Sequence, residues 1–138
     1  MSVSAVSQSD LEFMRAFESG EVPVSEFNHL AHLRLAYAYL CRGDLKYAEQ
    51  KMREALLAFL DANEIPRAKF HETLTRAWVM AVAHFMSRRG SGAFSEFIAS
   101  SQPLLDTKVM LTHYSAAALF SERARVAFVE PDLEVIPC

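Results

Sequence analysis

Two histidines, His29 and His32, lie three residues apart in the apolar stretch FNHLAHLRLAYAYL. Residues three apart share one face of a helix, and Leu33, Ala36 and Leu40 continue that face, so we expect both imidazoles to point inward. Burying an imidazole without a polar partner costs free energy. Helical bundles satisfy inward pairs of this kind with a metal ion or with another polar side chain. The pair alone leaves both a metal site and a packing role open.

His71 and Glu72 open a later helical stretch, FHETLTRAW. His71, Thr75 and Trp78 recur at spacings of four and three, which predicts a core-facing stripe that begins at His71. Glu72 lies one step round the helix, where it is either a partner for Arg76 four residues later or a first-turn acid that suits the helix dipole. The string is similar to the zinc-protease motif HExxH, but Thr75 replaces the second histidine and is a poor zinc ligand, so we reject that interpretation.

A third polar group, His113, Tyr114 and Ser115, follows in a predicted loop or short helix. Loops that leave a bundle can close over one of its ends. His113 is therefore a candidate metal ligand, general base or hydrogen-bonded loop anchor. His84 lies about 20 Å along the same helix from His71, at a rise of about 1.5 Å per residue, and is predicted to be structural or on the surface.

The order of the elements favours a common site for these groups. If the second and third helices form a hairpin, the fourth runs parallel to the second, which brings His29, His32 and His71 to one end of the bundle, with His113 and Glu72 within reach. Three imidazoles with an open position are typical of a catalytic zinc site. Two histidines and a carboxylate suit non-haem iron instead. We therefore expect one divalent metal ion, Zn or Fe, held by these four histidines.

The favoured hypothesis is a metal-dependent enzyme that acts on a small molecule, with the metal activating water or oxygen. Glu72 or Tyr114 would then transfer protons, while Thr75, Trp78 and Ser115 would line the substrate pocket. Two alternatives stay open. The same polar end could form a metal-free binding or acid–base site, or the chain could be a helical interaction module. The pattern indicates no particular oligomeric state.

Helical periodicity runs through nearly the whole chain, and no stretch of alternating β-branched residues predicts a sheet. We predict an all-α fold: a single-domain bundle of five to six helices with an extended C-terminal tail, covering residues 1–138, with 1–8 and 134–138 loose. Ser9 or Asp10, Ser25 and Asp44 are the predicted caps of the first three helices. The predicted helical ranges are a first helix ending at Phe17, then 26–42, 45–62, 69–88 and 93–100, and two short pieces at 107–111 and 121–127.

The composition sets limits on function. With 138 residues, 51 % of them apolar, the chain suits one globular domain, and a net charge of -3 gives no support for nucleic-acid binding. The longest apolar run, WVMAVAHFM, is too short to span a membrane. Cys41 and Cys138 lack metal-ligand spacing, so we expect Cys41 to be a small buried residue and Cys138 to lie on a loose tail. The first residues lack signal-peptide features, and we expect a cytoplasmic protein.

Two resemblances add expectations. LAYAYLCRGDLKYAEQKMREAL resembles a tetratricopeptide-repeat hairpin with Gly43 at its turn, but no second copy stands about 34 residues away, so a generic helix hairpin is favoured. In addition, F-x-H-x-x-H, H-E-T-L-T, H-Y-S and F-V-E-P-D-L together resemble a family of small, uncharacterised all-helical bacterial proteins, from Phe27 to Leu133. That resemblance names positions without naming a reaction. It implies that Glu130 and Asp132 either join the same end of the bundle or are surface acids.

Overall fold

Residues 6–89 and 92–137 are described by a computed structural model. Over these ranges the chain forms seven α-helices and four short 3-10 turns, without a β-strand, so the all-α prediction is confirmed. The 3-10 turns are Val24–Glu26, Arg67–Lys69, Gln102–Leu105 and Val109–Thr112. The helices are α1 (Gln8–Glu18), α2 (His29–Leu40), α3 (Leu45–Ala62), α4 (Glu72–Arg89), α5 (Phe94–Ala99), α6 (Ala116–Leu119) and α7 (Glu122–Val126).

Three long helices, α2, α3 and α4, pack against one another and enclose the core. α1 packs on α2 and α3, α5 packs on α2, and α7 packs on α4. α2 is the central helix, because every residue from Leu35 to Leu40 is buried. A helix that is apolar on all sides is stable in water only when neighbours surround it.

Side-chain caps explain where the first three helices begin. Asn28, rather than Ser25, caps α2 by accepting a hydrogen bond from the Ala31 amide, because residues 24–26 form a separate 3-10 turn. Ser7 caps α1 in the same way, two residues before Ser9, the nearer of the two predicted positions. Asp44 caps α3 as predicted, and both ends of α3 agree with the prediction.

A buried carboxylate fastens α1 to the bundle. Asp10 is 2 % exposed and accepts hydrogen bonds from Ser7 Oγ, from Arg34 Nε on α2 at 2.8 Å and from the Phe94 amide at the start of α5. Burial alone would raise the pKa of Asp10, but these hydrogen bonds and the Arg34 charge hold the pKa below its usual value. One side chain thus joins three helices as an ion.

Two residues of the segment 134–138, which was expected to be loose, contact the rest of the fold. Ile136 is 1 % exposed, and the Glu134 carbonyl accepts a hydrogen bond from His113. Gln8, also expected to be loose, begins α1. Residues 1–5 and Cys138, which were expected to be loose as well, lie outside the described residues.

Two further expectations concern Cys41 and membrane insertion. Cys41 is buried, and burial raises the pKa of its thiol to about 11, so it is the inert core residue that the sequence predicted. In the part of the chain that the structure describes, none of the helices combines the length and the apolar character needed to cross a membrane.

Candidate functional site

The first turn of α2 and the N-terminal half of α4 form a depression of about 290 Å³ between them. It brings together His29, His32, Thr75 and Trp78, four of the residues that the sequence predicted for a site. The two helix beginnings therefore lie side by side, in keeping with the predicted helix order. We call this feature the α2–α4 depression; it is lined by Phe27, Asn28, His29, His32, Leu74, Thr75 and Trp78.

His32, which lines the depression, has a buried ring nitrogen. Its Nδ1 is buried, and no described residue forms a hydrogen bond to it. Burial is the larger cause that lowers the pKa of His32, and the neighbouring His29 lowers it further, to about 4. The ring is therefore neutral at physiological pH. A buried polar atom without a partner costs about 1–3 kcal/mol of stability.

His29 is held in place by one hydrogen bond and by a contact with another ring. Its Nε2 donates a hydrogen bond to the Leu104 carbonyl at 2.9 Å, and its ring packs edge-on against Trp78 at 4.6 Å between centroids. In the neutral ring Nδ1 is then an acceptor. The 102–105 turn thereby fixes the orientation of His29 at the depression.

His71 has a different role from the metal ligand that the sequence predicted. Its Nδ1 accepts a hydrogen bond from the Leu74 amide at 3.0 Å, and its Nε2 donates to the Leu119 carbonyl at 2.8 Å. His71 is thus the N-cap of α4 and joins that helix to α6. Burial lowers the pKa of His71, and both ring nitrogens already have partners.

Glu72 lies on the side of α4 that faces α3. Its Oε1 accepts a hydrogen bond from Arg53 Nε at 3.0 Å, so the predicted pair with Arg76 does not form. Arg76 instead lies 3.5 Å from Glu49 and stacks over the Phe128 ring at 4.4 Å. The predicted proton-transfer residue therefore belongs to a surface ion-pair cluster, apart from the α2–α4 depression.

The H-Y-S motif binds the C-terminal tail, which consists of the described residues 127–137 after α7. His113 Nδ1 donates to the Glu134 carbonyl at 2.8 Å, and the His113 carbonyl accepts from the Leu133 amide. Tyr114 is fully buried, and its hydroxyl donates to the Val129 carbonyl at 2.7 Å. Burial raises the pKa of Tyr114 to about 12, which makes it a poor acid near neutral pH. Both residues are loop anchors in this arrangement.

Ser115 and Thr73 complete the attachment of the tail. Ser115 caps α6, and both its amide and its hydroxyl donate to the Asp132 carboxylate, at 2.8 and 2.7 Å. Those hydrogen bonds lower the pKa of Asp132. Thr73 donates to the Ala127 carbonyl and accepts from the Val129 amide. Sequence reasoning missed this role of Thr73, although its place inside H-E-T-L-T was a usable signal.

The four predicted metal ligands are divided between three places. His29 and His32 share the α2–α4 depression, His71 caps α4, and His113 anchors the tail. Among residues 6–89 and 92–137, no three side chains of His, Cys, Asp or Glu are grouped so that they could hold a metal ion. Glu130, a further candidate, is exposed.

No family model matches the chain, and neither a curated protein nor a solved structure shows significant similarity to it. The family resemblance carried by the four motifs therefore stays a prediction.

Proposed function

We propose that the protein binds a small neutral molecule in the α2–α4 depression. The observation that carries the proposal is the depression itself, which two imidazoles, His29 and His32, line together with the indole of Trp78. A volume of about 290 Å³ is close to the lower end of the range for ligand pockets, roughly 300–1,000 Å³. A ligand of one or two rings fits that size.

The lining determines which ligand chemistry suits the depression. Trp78 and Phe27 offer aromatic surface, while the two imidazoles and the Thr75 hydroxyl offer hydrogen bonds. Asn28 Oδ1 is occupied by the helix cap, so its amide nitrogen is the group left to donate. No charged side chain lines the depression, which favours a neutral, hydrogen-bonding heterocycle over an ion.

The low pKa of His32 favours binding over proton transfer. A general base works best when its pKa lies near the operating pH, and a ring with a pKa of about 4 is a weak base at neutral pH. His32 therefore acts as a hydrogen-bonding group in this proposal. An acid–base role would fall to His29 or to the ligand itself.

A metal-dependent enzyme acting on a small molecule is the second candidate, and one observation supports it. His29 and His32 line the same depression on adjacent turns of one helix face, as metal-binding pairs in helical bundles do. Neutral imidazole is the form that binds metal, and the low pKa of His32 keeps the ring in that form. Zn or Fe would take its remaining ligands from water or substrate, unless His71 and His113 gave up their main-chain hydrogen bonds.

Tryptophan fluorescence tests the binding of a neutral molecule, because Trp78 is the only tryptophan in the chain and lines the depression. We expect neutral heteroaromatic fragments to change Trp78 emission in the wild type and not in His32→Phe. His84→Ala, altered elsewhere on α4, is the matched control and should respond as the wild type does. Uptake of about one Zn²⁺ per chain, lost in the His29→Ala/His32→Ala double variant, would favour the metal enzyme instead. No response to either probe would contradict both proposals.

The interaction-module prediction receives less support. Tyr39, an aromatic residue of the repeat-like hairpin, is buried, and its hydroxyl donates to Glu18 at 2.5 Å inside the fold. We also propose a cytoplasmic location without nucleic-acid or membrane partners. The net charge of -3 supports the part of that proposal that concerns nucleic acid.

A further inference from the structure

A second cavity, of about 200 Å³, lies between the C-terminal half of α4 and the tail that crosses it. The two 3-10 turns at 102–105 and 109–112 contribute its remaining walls. Its polar side chains are the imidazoles of His84 and His113, neither of which belongs to the α2–α4 depression. Its apolar walls include Ala81, Phe85, Leu104, Met110 and Ile136.

The volume of this cavity matches one aromatic ring. An apolar cavity of about 150 Å³ accommodates benzene. A cavity of about 200 Å³ therefore leaves room for a ring with one or two small substituents. Phe85, Leu104 and Met110 supply the apolar and aromatic surface that such a ring prefers.

The imidazoles define the polar part of the ligand. His113 Nδ1 donates to the Glu134 carbonyl, so the neutral ring carries its proton there and Nε2 is an acceptor. Within the described residues, no hydrogen bond is formed to His113 Nε2 or to either ring nitrogen of His84. The His84 ring contacts Phe85 edge-on, with 5.6 Å between the ring centroids. Two imidazole nitrogens at an apolar cavity suit a ligand with one hydroxyl donor.

We propose that this cavity binds a small phenol, with the ring against Phe85, Leu104 and Met110 and the hydroxyl donating to His113 or His84. This site is separate from the α2–α4 depression and goes beyond the proposed function. Leu104 adjoins both sites, because its side chain lines the cavity while its carbonyl accepts the hydrogen bond from His29.

Titration with phenol, followed through the imidazole ring resonances by NMR, tests the proposal. We expect phenol to shift the signals of His84 and His113, and toluene to bind about tenfold more weakly because it lacks the hydroxyl. His84→Phe should weaken phenol binding and not toluene binding if its imidazole accepts the hydroxyl. If His113 accepts it, His84→Phe should bind phenol as the wild type does.

Two further variants keep the test independent of folding and of the proposed function. Ala81→Leu places two methyl groups and a methine in the cavity and should abolish the binding of both phenol and toluene while helical circular dichroism is retained. His32→Phe, which alters only the α2–α4 depression, should bind phenol as the wild type does. Absence of phenol binding at millimolar concentration, shifts confined to other histidines, or unchanged binding in Ala81→Leu would overturn the proposal.

Discussion

At the scale of single residues, His71 shows how an imidazole can replace the usual capping side chains. Its Nδ1 accepts from the Leu74 amide in the way that an Asn or Asp oxygen would, and its Nε2 adds a bond to the Leu119 carbonyl. Cap residues usually have short polar side chains, whose oxygen accepts from the amide two or three residues later. The added bond explains what the larger histidine contributes here: it joins α4 to α6.

Replacing His71 by Ala should therefore destabilise the protein. We expect the free energy of unfolding to fall by about 1–2 kcal/mol, because the cap and the bond to the Leu119 carbonyl are both lost. Urea denaturation at pH 7 measures this change. His71→Asn restores the cap without the second bond and should recover part of the loss. If His71→Ala were as stable as the wild type, His71 would not have the capping role.

Residue types and spacing predicted part of the candidate site. The periodicity of α2 and α4 was sufficient to bring His29, His32, Thr75 and Trp78 to one place, because regular helices carry regular faces. The partners of His71 and His113 are main-chain carbonyls in short irregular segments, at Leu119 and Glu134. No sequence period marks such carbonyls, and for that reason an anchoring histidine and a metal ligand look alike in sequence.

At the scale of elements, the described tail is attached by residues of two motifs that lie far from it in sequence. Thr73, from H-E-T-L-T, bonds to both Ala127 and Val129, and Ser115, from H-Y-S, bonds to Asp132. The two motifs therefore have a structural role, which is to attach the tail to the rest of the fold. Thr73 pairs with backbone groups of the tail that would otherwise be unpaired, and Ser115 binds the side chain of Asp132.

Thr73→Val tests this attachment, because valine keeps the shape of threonine and removes the hydroxyl. Thr73 is fully buried, so the change leaves the Ala127 carbonyl and the Val129 amide without their partner. We expect a loss of about 2–3 kcal/mol in the free energy of unfolding. Hydrogen exchange should accelerate at the Val129 amide in particular.

Thr73→Ser is the matched control, since it keeps the hydroxyl and loses only a methyl group. We expect a loss of about 1 kcal/mol and wild-type protection of the Val129 amide. Equal protection of that amide in Thr73→Val and Thr73→Ser would show that the threonine hydroxyl does not hold the tail.

The sequence predicted long elements better than short ones. α3 was predicted at both ends, because Asp44 is a strong cap and Ala48, Met52, Leu56 and Phe59 form a continuous buried stripe. α6 and the 102–105 turn were missed, since four residues complete little more than one helical turn and show no period. Both are held by contacts with distant residues, and local propensity does not encode such contacts.

At the scale of the whole molecule, the two cavities and the tail depend on one another. Leu104 supplies a carbonyl to His29 and a side chain to the cavity beneath the tail. His113 lines that cavity and binds the tail that covers it. A change in the tail should therefore alter the cavity beneath the tail first. Through the 102–105 turn it should then alter the α2–α4 depression.

The pH dependence of stability is a property of the whole molecule that follows from its buried imidazoles. Burial lowers the pKa of His32 from 6.5 to about 4, and lowers that of His71 as well. Between pH 6.5 and 4 the unfolded chain therefore takes up protons that the folded chain does not, so stability is fully present above pH 6.5 and falls as the pH decreases through this window. His32 alone should account for about 2–3 kcal/mol. The lowered pKa values of Asp10 and Asp132 act at lower pH, where carboxylates titrate.

Urea denaturation at a series of pH values from neutral to mildly acid measures how the free energy of unfolding changes with pH. His32→Phe should flatten the slope of that dependence in this window. An unchanged slope in His32→Phe would mean that His32 is protonated in the folded protein within this window, and the neutral binding site proposed for the α2–α4 depression would then be wrong.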